Sequence, residues 1–166
     1  FWRGVNRVSP GFIRVEADEL TYDFHIMLRV DIESALIDGS LRVSELPEAW
    51  NAKIREYLGL EVPNDRLGVL QDVHWSSGQI GTFCNYTIGN VMAGQLYGTA
   101  VREPSVAAGL AVADYAPLLG WMTGHVHRHG RRHSRDELLV QATGRRLDPA
   151  PYVAHLQNKY WEIYGV

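Results

Sequence analysis

Apolar residues early in the chain recur at helical spacing. From Ile13 to about Asp38 the positions Leu20, Phe24, Met27, Leu28, Ile32, Ala35 and Leu36 fall three or four apart, which marks one face of an α-helix, and Asp38-Gly39-Ser40 reads as its end. Pro47 suits a first helical position. The stripe Trp50, Ile54, Tyr57 and Leu58 behind it, closed by Gly59, predicts a second helix of about three turns. Pro63-Asn64-Asp65, Gly68, Ser76-Ser77-Gly78 and Gly81 then break every period, so the stretch reads as an irregular loop or small β element around 62–85.

Periodicity returns from Tyr86 to about Ala100. Ile88, Val91, Met92 and Leu96 share a face there, and Ala93, Gly94 and Gly98 permit close backbone approach. Asp114 can cap a helix with the stripe Tyr115, Leu118, Leu119, Met122 and Val126, ending near Gly130. Ser134-Arg135-Asp136-Glu137 has capping-box spacing ahead of a short helix to Gly144. Asp148-Pro149 opens the last helix, with Val153, Leu156, Tyr160 and Ile163 expected inward. There is no internal repeat and no linker, so the pattern predicts a mainly α chain whose residues 1–166 form a single unit.

Composition narrows the function classes. At 166 residues, 46% hydrophobic and 21% charged, the chain matches one ordinary globular domain and excludes collagen-like, mucin-like and strongly disordered classes. Its net charge of −3 gives no whole-molecule attraction to nucleic acid or anionic lipid, so neither is expected as a partner. Cys84 is the only cysteine, which excludes an intramolecular disulfide and fits a reducing compartment, the cytoplasm. The longest apolar or glycine run, Val106 to Ala113, is too short to span a bilayer. Phe1-Trp2 places two large aromatics at the start, where a natural terminus is usually small and solvated, and predicts a longer protein.

Three groups of residues could carry chemistry. Arg14, Asp18, Tyr22, His25 and Arg29 form a polar stripe at steps of three and four, either a solvated face with weak ion pairs or the wall of a polar cleft offering Arg14 to an anion. Gly68 to Trp75 gathers Gln71, Asp72, His74 and Trp75 in a loop suited to oxyanion or carboxylate recognition. There Asp72 could orient His74 if the stretch is extended, or His74 could simply satisfy buried carbonyls. The run His125 to His133 sets His125 and His129 at metal-ligand spacing but lacks an acidic third ligand. Cations stabilising a helix end account for it more simply than a metal or nucleic-acid site. Cys84 reads as a small buried apolar residue rather than a nucleophile.

Two of these stretches together resemble one family. Ile13-Arg14-Val15-Glu16-Ala17-Asp18 is similar to the I/V-R-x-x-A-D motif, and Gly68 to Trp75 to the G-x-x-Q-D-x-H-W motif, of the carboxypeptidase Taq family of zinc metallocarboxypeptidases. The likeness continues through Glu19 to His25, Leu46 to Asn51, Tyr86 to Asn90 and His127 to Arg132, in family order. It implies the helical C-terminal part of an HExxH metallopeptidase fold. The family's HExxH helix and the Glu that completes its metal site have no match here. At the HxxxH spacing of His125 to His129, Val126 stands in place of the catalytic Glu.

The resemblance therefore implies a C-terminal segment whose metal-binding part is missing. No metal is expected in this chain, and zinc or another divalent ion is expected in the intact enzyme. By resemblance Arg14 takes the substrate's terminal carboxylate, His74 and Tyr86 are catalytic, and Gln71 and Asp72 support substrate binding. The implied partners are a peptide C-terminus, the missing N-terminal part and a second copy in a homodimer. The competing class is a non-enzymatic helical module that docks a partner through its exposed faces.

Overall fold

In a computed structural model, which describes residues 1–165, the chain is mainly α with no strand among the described residues. Its α-helices are α1 (Trp2–Val5), α2 (Tyr22–Asp38), α3 (Leu46–Leu58), α4 (Cys84–Ala100), α5 (Pro104–Ala111), α6 (Ala116–His125), α7 (Arg135–Thr143) and α8 (Ala150–Tyr164). Short 3-10 turns occupy Arg14–Glu16, Val43–Glu45, Trp75–Ser77 and His127–His129. Contacts divide the chain into two compact units, Phe1–Thr87 and Ile88 onward, with the boundary inside α4.

In the first unit α2 packs on α3 around Leu28, Ile32, Trp50, Ile54, Leu58 and Val69. Both helices end at a left-handed glycine, Gly39 (φ 80°) and Gly59 (φ 68°), as the sequence predicts. The start of α2 differs from expectation. The chain makes a 3-10 turn at Arg14–Glu16 and enters α2 only at Tyr22, because Asp18 takes the backbone N–H groups of Leu20 (3.1 Å) and Thr21 (2.9 Å) with one oxygen and that of Ser9 (2.8 Å) with the other. Burial opposes the Asp18 charge, but these donors outweigh it and hold its pKa below the ordinary value. The face that α2 buries also differs. His25, Ile26, Leu28, Arg29, Ile32 and Glu33 are buried, whereas Leu20, Phe24 and Met27 are 37–45% exposed.

The loop expected around 62–85 is irregular, built from turns and the 3-10 turn Trp75–Ser77. Gly68 is required by packing, since a Cβ there would stand 2.9 Å from Val62 Cγ1 and 3.3 Å from the Asn64 carbonyl oxygen.

The second unit is built on Leu96, Ala100, Val106, Trp121, Leu139 and Ala142. The capping box at Ser134 and Glu137 forms in both directions ahead of α7, and Asp148 and Asp114 accept backbone N–H groups at the starts of α8 and α6. Helix α5 was not expected. Its residues are small and apolar with no amphipathic stripe, leaving only Pro104 in the first turn as a signal. Val153, expected inward on α8, is 45% exposed, while Tyr160 is buried. Gln95 of α4 is 3% exposed, donates to Thr143 Oγ1 (2.9 Å) and the Arg146 carbonyl (2.9 Å) and accepts from Asp148 N–H (3.0 Å), tying α4 to the α7–α8 connection.

Gly94 realises the close approach foreseen for α4, for a Cβ there would lie 2.8 Å from Tyr152 Cα and 2.9 Å from its Cβ. Those are backbone-proximal atoms that cannot swing aside. Gly94→Ala is expected to force α4 and α8 apart and to cost about 1–3 kcal/mol despite its better helix propensity. Gly89→Ala, with no atom within 4 Å of its Cβ, should be neutral or stabilising by about 0.5–1 kcal/mol. Urea unfolding of both variants measures the contrast.

Candidate functional site

The Arg14 guanidinium is brought inward by the 3-10 turn that follows Ile13, and the residue is 7% exposed. Its Nε and Nη2 both donate to Asp72 Oδ1, at 3.1 and 3.0 Å, and Nη1 donates to the Tyr22 hydroxyl at 3.2 Å. Its backbone N–H donates to Gln71 Oε1 at 3.1 Å. Burial works against the charge, but the hydrogen bonds to Asp72 and Tyr22 outweigh it and raise the Arg14 pKa above its ordinary value.

The other oxygen of Asp72 belongs to Arg29. Arg29 is fully buried; its Nε donates to Asp72 Oδ2 at 2.6 Å, its Nη2 reaches the same oxygen and also Gln71 Oε1 at 3.1 Å, and its Nη1 donates to the His25 carbonyl. The guanidinium carbon lies 4.6 Å from the Trp50 ring centroid and 5.3 Å from that of Phe83, both rings fully buried. Desolvation lowers the Arg29 pKa to about 10 in spite of Asp72, so the group stays charged at neutral pH. Gln71 completes the frame by donating to the carbonyls of Phe12 (2.9 Å) and Gly68 (3.1 Å).

His74 and Tyr86 meet beside this cluster. His74 Nε2 lies 3.2 Å from the Tyr86 hydroxyl, and the imidazole leans on Phe83 with ring centroids 4.4 Å apart. Asp72 does not orient the imidazole by a hydrogen bond, because Oδ1 is 3.8 Å from His74 Nδ1 and that nitrogen has no hydrogen-bond partner. Tyr86 is 40% exposed, and the Arg14 guanidinium carbon lies 5.0 Å from its ring centroid.

The structure thus brings Arg14, Gln71, Asp72, His74 and Tyr86 together in the first unit. Sequence reasoning missed the depth of Arg29 and His25, both 0% exposed, since their stripe was equally readable as a solvated face. It also missed Phe83, which touches both halves of the site, and Glu33, which accepts from Trp75 Nε1 at 2.8 Å. In the His125–His133 run, His125 Nδ1 is taken up by the Trp121 carbonyl at 2.9 Å and its ring stacks on the Trp121 indole. Among the described residues no group of three or more His, Cys, Asp or Glu converges as a metal-ligand set, so these donors do not fit a catalytic metal. A depression of about 430 Å³ in the second unit is lined by Ser134, Asp136, Glu137, Val140, Gln141 and Arg146 and contains none of the site residues. No helix among the described residues is long and apolar enough to cross a membrane.

Comparison with known proteins matches residues 1–160 to the family model of carboxypeptidase Taq (M32) metallopeptidases. The chain is 40% identical over 165 residues to carboxypeptidase 1 of Bacillus subtilis, covering 99% of this chain and 33% of that protein. It is 40% identical over 170 residues to thermostable carboxypeptidase 1 of Thermus thermophilus, covering 99% and 32%. Among solved structures, the M32 carboxypeptidase of Deinococcus radiodurans R1 superposes with a TM-score of 0.95 at 46% identity, over 99% of this chain and 33% of that one. Metallocarboxypeptidase 1 of Trypanosoma cruzi gives 0.90 at 44%, over 95% and 34%. The chain spans about a third of the length of these relatives.

His25 supplies a pH-dependent test of the cluster. Both ring nitrogens are buried without a hydrogen-bond partner. Desolvation, then repulsion by Arg29 and Arg14, lowers its pKa from 6.5 to about 4 against the attraction of Asp72 and Asp18. Between these values the unfolded chain binds the proton and the folded chain does not, so stability falls as pH falls. The expected loss from this group is of order 3 kcal/mol as pH drops from about 7 through about 4. His25→Leu should remove that component, and urea unfolding of both proteins across this range should show the variant with the shallower decline.

Proposed function

The chain belongs to the carboxypeptidase Taq (M32) metallopeptidase family, and on that premise we propose that it is the C-terminal, substrate-binding portion of a zinc metallocarboxypeptidase that removes single residues from peptide C-termini. In this reading the divalent metal is held by the part of the enzyme that lies N-terminal to this chain. Residues 1–166 then belong to one longer catalytic domain and are inactive alone. The intact enzyme is proposed to be a cytoplasmic homodimer.

The observation that carries the reading is the charge of the Arg14 cluster. Two guanidiniums share one carboxylate, and Asp72 is the only acid in contact with either among the described residues, so the hydrogen-bonded group retains one positive charge in excess. A cation in a low-dielectric setting favours an anionic ligand, and the free carboxylate of a peptide C-terminus is the anion that a carboxypeptidase must hold. Arg14 lies on the side of the cluster that adjoins the half-buried Tyr22 and the exposed Tyr86, so Arg14 rather than Arg29 takes this role. Gln71 and Asp72 support binding by fixing the guanidinium in place.

In the same reading, His74 and Tyr86 stabilise the oxyanion that develops when the scissile carbonyl is attacked. The two groups are hydrogen-bonded to each other at 3.2 Å, and a substrate oxygen that replaces this mutual bond receives the imidazole N–H and the phenol O–H together. The scissile carbonyl precedes the terminal carboxylate by one residue, about 3.3–3.6 Å of extended chain. Both groups of the substrate then fall against the first unit, with Phe83 beneath the Arg14 guanidinium and the His74 ring alike.

In the full-length enzyme, Arg14→Ala is expected to remove about 2–5 kcal/mol of discrimination between a peptide with a free C-terminus and its amide. Arg14→Lys should recover only part of it, because it restores the charge without the fork. Arg29 still neutralises Asp72 in both variants, so folding should survive. The ratio of specificity constants for acid and amide reads the effect, and an unaltered ratio overturns the assignment. Incubated alone with an N-blocked dipeptide, the chain should release no C-terminal residue. Release that a chelator abolishes would overturn the fragment reading.

A further inference from the structure

Tyr22 is the residue at the site that the roles above leave unused. It opens α2, directly behind the backbone turn that Asp18 caps, and its ring is half-buried. Its hydroxyl oxygen accepts from Arg14 Nη1 at 3.2 Å. Because that bond uses an oxygen lone pair, the phenolic proton remains to be donated, and no acceptor for it stands among the described residues.

The donor inventory of Arg14 shows where that proton is useful. A guanidinium has five N–H groups. Three are engaged, Nε–H and one on Nη2 by Asp72 and one on Nη1 by Tyr22, which leaves one on each Nη. Asp72 therefore holds the Nε–Nη2 side, and an incoming anion can meet Arg14 only through the remaining Nη donors, next to the Tyr22 hydroxyl. Resting on the reading of Arg14 as the carboxylate-binding group, we propose that the Tyr22 hydroxyl donates a hydrogen bond to the terminal carboxylate of the peptide substrate, beside the guanidinium of Arg14.

This arrangement sharpens the choice of substrate. A carboxylate offers acceptor lone pairs on both oxygens to the converging N–H and O–H donors. An amide at the same place offers one acceptor oxygen and turns an NH₂ group, itself a donor, toward the remaining protein donors. Tyr22 thus raises selectivity for a free C-terminus by adding a neutral donor that the second carboxylate oxygen accepts and an amide NH₂ group cannot.

The test uses the full-length enzyme and measures inhibition constants for an N-acylated amino acid, the product-like acid, and for its amide. Tyr22→Phe, which deletes one oxygen from a half-buried ring, is expected to weaken binding of the acid about tenfold and to leave the amide nearly unchanged. Tyr22→Phe added to Arg14→Ala should weaken the acid further than Arg14→Ala alone, because the phenol makes its own bond to the carboxylate. An unchanged acid-to-amide ratio, equal weakening of both ligands, or no further loss in the double variant overturns the proposal. A ratio that collapses in Arg14→Ala but holds in Tyr22→Phe removes the Tyr22 assignment alone. A ratio that holds in Arg14→Ala removes both readings.

Discussion

One carboxylate that serves two guanidiniums is the constraint on which the first unit depends. Burying an ion costs several kcal/mol in lost hydration, and only a well-placed counter-charge with further hydrogen bonds offsets that. Asp72 provides the counter-charge for Arg14 and Arg29 at once, with one oxygen turned to each. In doing so it fastens three stretches far apart in sequence: the turn at Arg14–Glu16, the middle of α2, and the loop that begins at Gly68. That loop has no regular backbone ladder to hold its shape. Local turn bonds shape it and side chains tie it in place, with Gln71 bridging the Phe12 and Gly68 carbonyls and the Arg14 N–H while Asp72 locks the arginines.

Aromatic rings supply the rest of the frame. Phe83 is fully buried and faces both guanidiniums, and the same ring lies against His74, Trp75 and Tyr86. Trp75 is pinned in turn by its indole N–H on Glu33 and by an edge-to-face contact with Trp50. The arginine pair and the imidazole–phenol pair therefore rest on one shared surface. A displacement of Phe83 would move both, so their relative placement is set by packing and needs no direct bond between them.

The sequence made the helix ends legible where a local device encodes them: the capping box at Ser134 and Glu137, Pro47, and the glycines after Asp38 and Leu58. The start of α2 was misread because periodicity runs smoothly through Asp18, whereas the side chain of Asp18 captures the backbone and delays the helix to Tyr22. The fate of the polar stripe could not be read locally. Whether His25 and Arg29 face water depends on a loop 43 residues beyond Arg29 folding over them, and residue spacing carries no record of that. The likeness to a known family singles out both partners of that long-range contact without saying that they touch. Its two motifs, Ile13 to Asp18 and Gly68 to Trp75, are the segments that meet at Arg14 and Asp72, 58 positions apart.

The two arginines divide their labour by depth. Arg29 has no exposed surface, lies between aromatic faces, and has its pKa lowered to about 10 by desolvation; no outside ligand can reach it without dismantling the core. Arg14 keeps a small exposed fraction, has its pKa raised, and stands beside tyrosines that remain partly open to solvent. A shared Asp72 cannot neutralise both, so the uncompensated charge is expressed at whichever guanidinium an anion can approach. That is Arg14. The buried arginine thus acts on function through the carboxylate it shares, since by occupying Oδ2 it confines Asp72 to one oxygen for Arg14 and leaves the outer Nη donors of Arg14 available.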